Sequence, residues 1–319
     1  MSRTRLKRFV ADLLKKTAIV SAKAGSDSEP KQRPLSKNTI RNVIAALRSL
    51  LEEAVEGGEN DRPLIQANPA AKLGKYYKEA PDYREEIEPY SAEEVSLLLQ
   101  TAREHFRFND YVMLLTQFHT GNRPGETAAL YWTDLDERNS TVLIRRQYTR
   151  GHKGKVKTSK KHNVKLSGFL LAEVKTLKRQ RQEEYLARGK NEIPELIFLS
   201  AGKQIWKDGK LVGHEEGKIV DMDNWVKRVF FKMCDKAQVR RHRFYDTRHT
   251  CASILLNNGE NLKLVQAQLG HSSIRVTADT YGHLEIASDR GAMNRLPTTA
   301  NSAPQLEQVE AASAAIRGK

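Results

Sequence analysis

The apolar residues of this chain recur at spacings of three and four over much of its length, a period that lets a segment bury one side only as a helix. Leu6, Phe9, Val10, Leu13 and Leu14 share one face of a first helix. Ile40, Val43, Ile44, Leu47 and Leu51 share one face of a second, which Ser36 caps and Gly57-Gly58 stops. Between Gly58 and Tyr90 the pattern weakens around Pro63, Pro69, Pro81 and a charged stretch, and a chain of 319 residues has room for two domains. A linker is expected near residues 75–88, between a small helical domain over 1–80 and a larger one over 88–295. The Ala/Ser/Gln-rich tail over 296–319 is expected to be disordered or a short docking helix.

Ser91-Ala92-Glu93-Glu94 has the form of a capping box, in which hydroxyl and carboxylate satisfy free backbone donors reciprocally, and a helix follows through Val95, Leu98 and Leu99. A second apolar stretch from Tyr111 to Phe118 runs into Gly121. Pro124 then suits the first turn of a helix carrying Ala128, Leu130 and Trp132, so Arg123 sits at a helix start. Alternation of period two over 141–148, around Val142 and Ile144, and again into Val164 and Leu166, predicts a basic β-hairpin. Helices are expected at 168–187, 222–236, 247–257 and 262–269, the last two closed by Gly259 and Gly270, with a strand and hairpin over 195–215 around Asp208-Gly209. The expected fold class is mainly α with a small β component (α+β).

Charge points to the partner. Against 39 Asp+Glu stand 54 Lys+Arg, a net +15 and a pI near 9.7, a balance that favours a polyanion because neutralising phosphates releases condensed counterions. Nucleic acid is the first reading and an anionic membrane surface the competing one. No apolar run approaches the ~20 residues that span a bilayer, and the N-terminus lacks a signal-peptide core, so the protein is expected to be soluble and intracellular. Cys234 and Cys251 have neither a metal-ligand spacing nor the number for a disulfide scaffold, and both are expected to be buried and reduced.

Four short segments carry candidate chemistry: Thr120-Gly121-Asn122-Arg123-Pro124-Gly125-Glu126, Tyr245-Asp246-Thr247-Arg248-His249-Thr250, Leu269-Gly270-His271-Ser272-Ser273 and Asp279-Thr280-Tyr281-Gly282-His283. Two guanidiniums, an imidazole and a phenol form a metal-free kit for attacking a phosphodiester. Charge stabilisation falls to the arginines, since the sequence shows no His-Glu-x-x-His, clustered carboxylates or cysteine ligand set. Arg123 and Arg248 could clamp both non-bridging oxygens and hold the phosphorane as charge accumulates. Tyr281 is the candidate nucleophile, with an ordinary pKa near 10 that nearby arginines are expected to lower. His271 could donate to a phosphate oxygen or exchange a proton, titrating near neutrality. Lys157 on the hairpin could protonate a departing 5′ oxygen, with Lys155 and Lys160 competing for that role. The hairpin cations Lys153, Lys155 and Lys160 could instead track a DNA backbone electrostatically, and Lys37, Asn38 and Arg41 at the start of the second helix are candidate groove or phosphate contacts. Singly, each residue has an ordinary alternative as a solvated cation, a capping His or a Tyr packing its ring at a helix end.

The order Arg123, Lys157, Tyr245-x-x-Arg248, His271, Tyr281 resembles the tyrosine recombinase (phage integrase) family, most strongly from Thr120 to Leu284. Thr120-Gly121, Gly125-Glu126, Asp246, His249-Thr250, Leu269-Gly270 and His271-Ser272-Ser273 also match. The resemblance implies a helical core-binding domain and a mixed α/β catalytic domain that close a C-shaped clamp on duplex DNA. It implies site-specific cleavage and rejoining through a 3′-phosphotyrosyl intermediate with a freed 5′ hydroxyl, without metal, ATP or other cofactor. It further implies attachment or recombination sites as substrates, a homotetramer on DNA, accessory DNA-bending proteins, no membrane, and a cytoplasmic, nucleoid-associated protein encoded by a bacterium, a phage or another mobile element. Tyr245 stands where the family usually has His, and leaves the general base open. Many integrases carry an additional N-terminal DNA-binding domain, so the chain is expected to be a shorter recombinase or a truncated form. Two other readings stay open, a non-cleaving DNA-binding regulator of the same fold and an enzyme like a type IB topoisomerase or a resolvase.

Overall fold

The computed structural model describes residues 2–20, 31–57, 62–83, 87–149, 151–155, 161–202, 204–207, 210–214 and 217–288. The chain separates into two compact units, Met1–Ile87 and Glu88–Lys319.

In the first unit, helix α1 (Arg3–Lys15) and the antiparallel pair β1 (Thr17–Val20) and β2 (Lys31–Pro34) precede helix α2 (Lys37–Glu56). Ser36 caps α2, its hydroxyl accepting from the Thr39 N–H at 3.1 Å, and Gly57 ends it. Leu6, Val10 and Leu13 pack against Ile40, Ile44, Leu51 and Leu73. Phe9, Leu14 and Val43, expected on the same stripes, are exposed, because the buried arc of each helix is narrower than its apolar one. The linker expected near 75–88 is folded over its first residues. Leu73–Tyr77 form a 3₁₀ turn, Tyr76, Tyr77 and Ala80 pack on this core, and the Lys37 N–H donates to the Pro81 carbonyl at 2.8 Å. Two tyrosine rings bring enough apolar area to hold a stretch whose prolines deny it a regular helix.

The second unit is built around α4 (Phe108–Thr120), whose residues Tyr111 to Phe118 are all buried, with α3 (Ala92–His105) against it. The capping box is present: Glu94 accepts from the Ser91 N–H at 2.8 Å and the Ser91 hydroxyl from the Glu94 N–H at 3.1 Å. Helix α5 (Pro124–Ala128) is shorter than expected, since Trp132–Asp134 turn into a 3₁₀ segment. After a two-residue strand β3 (Leu135–Asp136), strands β4 (Thr141–Ile144), β5 (Arg146–Thr149), β6 (His152–Lys155) and β7 (His162–Lys165) form the expected hairpin, with β4 paired to β7 and β5 to β6. Its break falls at Arg145, where Arg145 and Arg146 each reach a different oxygen of the buried Asp134 at 2.6 Å. Strand β3 adds an unexpected third member to the β4–β7 sheet.

Helix α6 (Gly168–Ala187) is followed by the pair β8 (Gln204–Lys207) and β9 (Lys210–His214), and the Asp208-Gly209 turn lies outside the described residues. The expected helix at 222–236 is α7 (Met222–Trp225) and α8 (Phe231–Lys236), joined by a π turn over Val226–Phe230. Helices α9 (Asp246–Asn257), α10 (Leu262–Leu269) and α11 (Ile274–Ser288) pack on one another and complete the described chain. The fold is mainly helical with small sheets. Cys234 and Cys251 are buried and unpaired. Among the described residues, no helix is long and apolar enough to cross a membrane, and the tail lies outside them.

Candidate active site

Arg123 is placed by the junction of two helices. Gly121 closes α4 in the left-handed region (φ 62°), its N–H donating to the Gln117 carbonyl at 3.0 Å. Arg123 is then the extended residue before α5, and Pro124 fills a first-turn position that needs no N–H. The buried Glu126 fixes it twice, accepting from the Arg123 N–H at 2.9 Å and from Nη1 at 2.8 Å. The guanidinium is held by one carboxylate while 22% of the side chain faces solvent, so it is oriented and still accessible to an anion.

Arg248, in the first turn of α9, is 1% exposed. Its Nη1 donates to the Gly121 carbonyl at 2.6 Å and its Nη2 to the Leu269 carbonyl at 2.7 Å. These are carbonyls at the C-terminal ends of α4 and α10, where backbone acceptors lack helical partners and the helix dipoles present negative ends. One planar cation thus ties three helices. Burial lowers its pKa, with Arg123 contributing in the same sense and Tyr245, Glu126 and Tyr281 opposing. A guanidinium keeps its proton through such a shift, so the site holds a fixed positive charge.

His271 follows Gly270, the left-handed cap of α10. Its Nδ1 lies 2.9 Å from the hydroxyl of the buried Thr277 on α11. Burial first, then Arg248, Arg123 and His249, push its pKa down to about 4. The expectation that His271 titrates near neutrality is corrected: partial burial and two guanidiniums keep the imidazole neutral at pH 7. Such a ring can donate one hydrogen bond to a phosphate oxygen without carrying charge.

Tyr281 lies on α11, a helix not expected from the sequence, and is 2% exposed rather than at an exposed helix end. Its ring packs among Ala252, Leu256, Val265 and Leu269, and its hydroxyl meets His249 Nδ1 at 2.6 Å. The pKa is raised, chiefly by burial; Arg248 acts the other way, and Tyr245, Cys251 and Asp246 add to the rise. Arg248 depresses it as expected, but the net shift is upward, because removing the phenolate from water costs more than Arg248 returns. The nucleophile candidate is protonated at rest. Tyr245 is 41% exposed and edge-on to His249, with ring centroids 5.5 Å apart.

Arg123, Tyr245, Arg248, His271 and Tyr281 are thus close enough to share one site through their electrostatic influence on one another. His249, which sequence reasoning placed only among the supporting residues, joins them. Its sequence signal was its position one helical turn after Tyr245, on the same face of α9. The hairpin runs beside this region: a side chain at Gly125 would strike the Tyr148 carbonyl of β5. Lys157 and Lys160 lie outside the described residues, as do the side chains of Lys153 and Lys155 on β6. Lys37, Asn38 and Arg41 belong to the first unit. There the Lys37 ammonium donates to the Lys78 carbonyl at 2.8 Å, and Asn38 and Arg41 are exposed. Among the described residues, no group of His, Cys, Asp and Glu is placed to hold a metal ion.

Comparison with known proteins identifies the family. The profile of the phage integrase family matches residues 90–287. A tyrosine recombinase XerC-like protein of Caldanaerobacter subterraneus subsp. tengcongensis is 27% identical over 79% of this chain and 64% of its own length. The ICEBs1 integrase of Bacillus subtilis is 23% identical over 78% of this chain and 62% of its own. The chain therefore spans less than two thirds of these relatives. In fold it is similar to the Tn1549 transposon integrase, solved in complex with a circular intermediate DNA (TM-score 0.62, 20% identity, 92% of this chain and 85% of that one). It is similar also to the XerH site-specific recombinase bound to palindromic difH substrate (TM-score 0.58, 18% identity, 92% and 73%). With the family profile covering well over half of its residues, the chain belongs to the phage integrase, or tyrosine recombinase, family.

Proposed function

We propose that this chain is a site-specific DNA recombinase that cleaves and rejoins duplex DNA through a covalent bond between Tyr281 and a 3′-phosphate. The observation that carries the reading is the placement of the Tyr281 hydroxyl in one buried site with Arg248, beside Arg123 and His271. Arg123 and Arg248 neutralise the non-bridging oxygens, and the carbonyls and carboxylate that hold them set their orientation in advance, so little reorganisation is needed as charge develops. His271 donates a neutral hydrogen bond to the same phosphate. The Tyr281 hydroxyl gives up its proton to a neighbouring base as its oxygen bonds to phosphorus and the bond to the 5′ oxygen breaks, and the departing oxygen takes a proton, a role that fits Lys157. A 5′ hydroxyl from another strand reverses the step. The phosphotyrosyl linkage conserves the bond, so no ATP is consumed.

The net charge of +15 supports a polyanionic substrate. In this reading the first unit is a core-binding domain that meets the duplex through Lys37, Asn38 and Arg41. Lys153, Lys155 and Lys160 follow the backbone. Four copies assemble at paired recombination sites, with accessory proteins bending the DNA, in the cytoplasm at the nucleoid. The test is a duplex carrying a recombination site and a nick that lets the 5′ fragment diffuse away. The unaltered chain accumulates a covalent adduct on a denaturing gel, and Tyr281→Phe binds the duplex without forming it. Binding with no adduct from the unaltered chain would make the protein a non-cleaving regulator.

A further inference from the structure

The phenol at position 245 is a poor proton acceptor at neutral pH, and it stands where the family usually has His. The Tyr281 hydroxyl must nevertheless lose its proton to become a nucleophile. One helical turn along α9, His249 Nδ1 is 2.6 Å from that hydroxyl, within the reach required of a general base. The nearby carboxylate Asp246 is committed to Arg243, with Nη2–Oδ1 at 3.0 Å. We infer that His249 is the proton acceptor for Tyr281 in strand cleavage and its proton donor in rejoining, in the place that Tyr245 vacates. This rests on the reading of Tyr281 as the nucleophile.

The step balances. In cleavage the Tyr281 O–H bond breaks and its proton moves to His249 Nδ1. The phenolic oxygen bonds to phosphorus, the bond to the 5′ oxygen breaks, and that oxygen takes a proton from the Lys157 ammonium or from water. In rejoining a 5′ hydroxyl gives its proton back to the Lys157 amine or to water as its oxygen bonds to phosphorus, the bond to Tyr281 breaks, and His249 returns its proton to the phenolate. The groups facing His249 suit the exchange: Asp246 and Arg248 on α9, Arg243 and Tyr245 just before it, Tyr281 on α11 and His271 after α10. Burial, with help from Arg243 and Arg248, keeps the resting imidazole neutral and able to accept, while Asp246 favours the imidazolium once formed. His249 touches the reacting oxygen and is in that sense catalytic.

The test uses the nicked recombination-site duplex under single-turnover conditions, with the unaltered chain, His249→Gln, and each of these carrying 3,5-difluorotyrosine at position 281. His249→Gln is expected to bind DNA as the unaltered chain does and to form the adduct roughly 10²-fold more slowly or worse, the usual share of a general base. The unaltered chain loses rate as acid protonates His249. His249→Gln lacks that limb, and its rate climbs steadily with pH as the phenol ionises unaided. Difluorotyrosine, a more acidic phenol, restores most of the lost rate. A 5′-bridging phosphorothiolate, which repairs loss of a general acid, does not. Wild-type rate and pH profile in His249→Gln would overturn the inference, as would a loss that phosphorothiolate repairs and difluorotyrosine leaves. Should the variant fail to fold, the otherwise unaltered chain decides. An acid limb that stays in place with difluorotyrosine supports His249, and one that moves with phenol acidity overturns it. An unaltered chain that forms no adduct overturns the nucleophile reading itself, a different failure.

Discussion

Arg248 should matter to folding as much as to chemistry. Replacing it with Met keeps an unbranched apolar stem of similar reach and removes the fork that joins the Gly121 and Leu269 carbonyls at 2.6 and 2.7 Å. Hydrogen bonds from a charged donor contribute roughly 1.5–3 kcal/mol each, and a buried carbonyl left unpaired costs about 1–3 kcal/mol. The buried cation carries its own desolvation penalty, visible in its lowered pKa, and its removal returns part of that loss. The net expectation for Arg248→Met is a destabilisation of about 3 kcal/mol. In a unit of this size that lowers the melting temperature by roughly 6–12 °C. Arg248→Lys, whose ammonium can satisfy one of the two carbonyls, should lose about half as much. Trp132, Trp206 and Trp225 all lie in the second unit, so denaturant titration followed by tryptophan emission reports on it alone. An unchanged midpoint in Arg248→Met, or a lysine variant weaker than the methionine one, would refute the idea that this side chain clasps helix ends. If it holds, lost activity in Arg248 variants mixes folding with chemistry, and the partly exposed Arg123 is the cleaner probe of phosphate binding.

Gly121→Ala should destabilise by roughly 2–4 kcal/mol, read from the same titration, because a Cβ there meets a positive φ, Leu269 Cδ2 at 2.5 Å and Cys251 Cβ at 3.2 Å. The depressed pKa of His271 makes stability fall with pH. From the unfolded value near 6.5 down to about 4 the unfolded chain takes a proton that the folded ring refuses. His119, His242 and His249 are shifted in the same direction. Melting temperatures should therefore drop between pH 6.5 and 4, and His271→Gln should flatten that slope; an identical slope in the variant would remove His271 from the effect. Arg41→Glu, at an exposed position of the first unit, should weaken duplex binding and reduce its salt dependence without changing the rate of adduct formation by bound protein, and unchanged affinity would remove Arg41 from the interface.

Local chemistry made much of this fold readable. The Ser91–Glu94 box, the Ser36 cap, Gly121 and Gly270 as helix ends, and Arg123 before Pro124 all follow from short-range geometry. Helix α11 was hidden because Val276, Thr277, Thr280 and Gly282 are weak helix formers, and its burial against α9 and α10 overrides propensity. Strand β3 has two residues and gives no period to detect. At the site the residue identities were legible and their protonation was not. The low pKa of His271 and the high one of Tyr281 depend on burial by segments far apart in the chain. The same dependence hid His249, whose partner is thirty-two residues away.

The most direct test of the proposed chemistry is to isolate the covalent complex formed on a nicked recombination-site duplex, digest protein and DNA, and locate the modified peptide by mass spectrometry. The account predicts a nucleotide joined by its 3′-phosphate to Tyr281, with a 5′ hydroxyl on the released strand. A linkage on the exposed Tyr245, a 5′-phosphate joined to protein, or cleavage with no protein attached would contradict it.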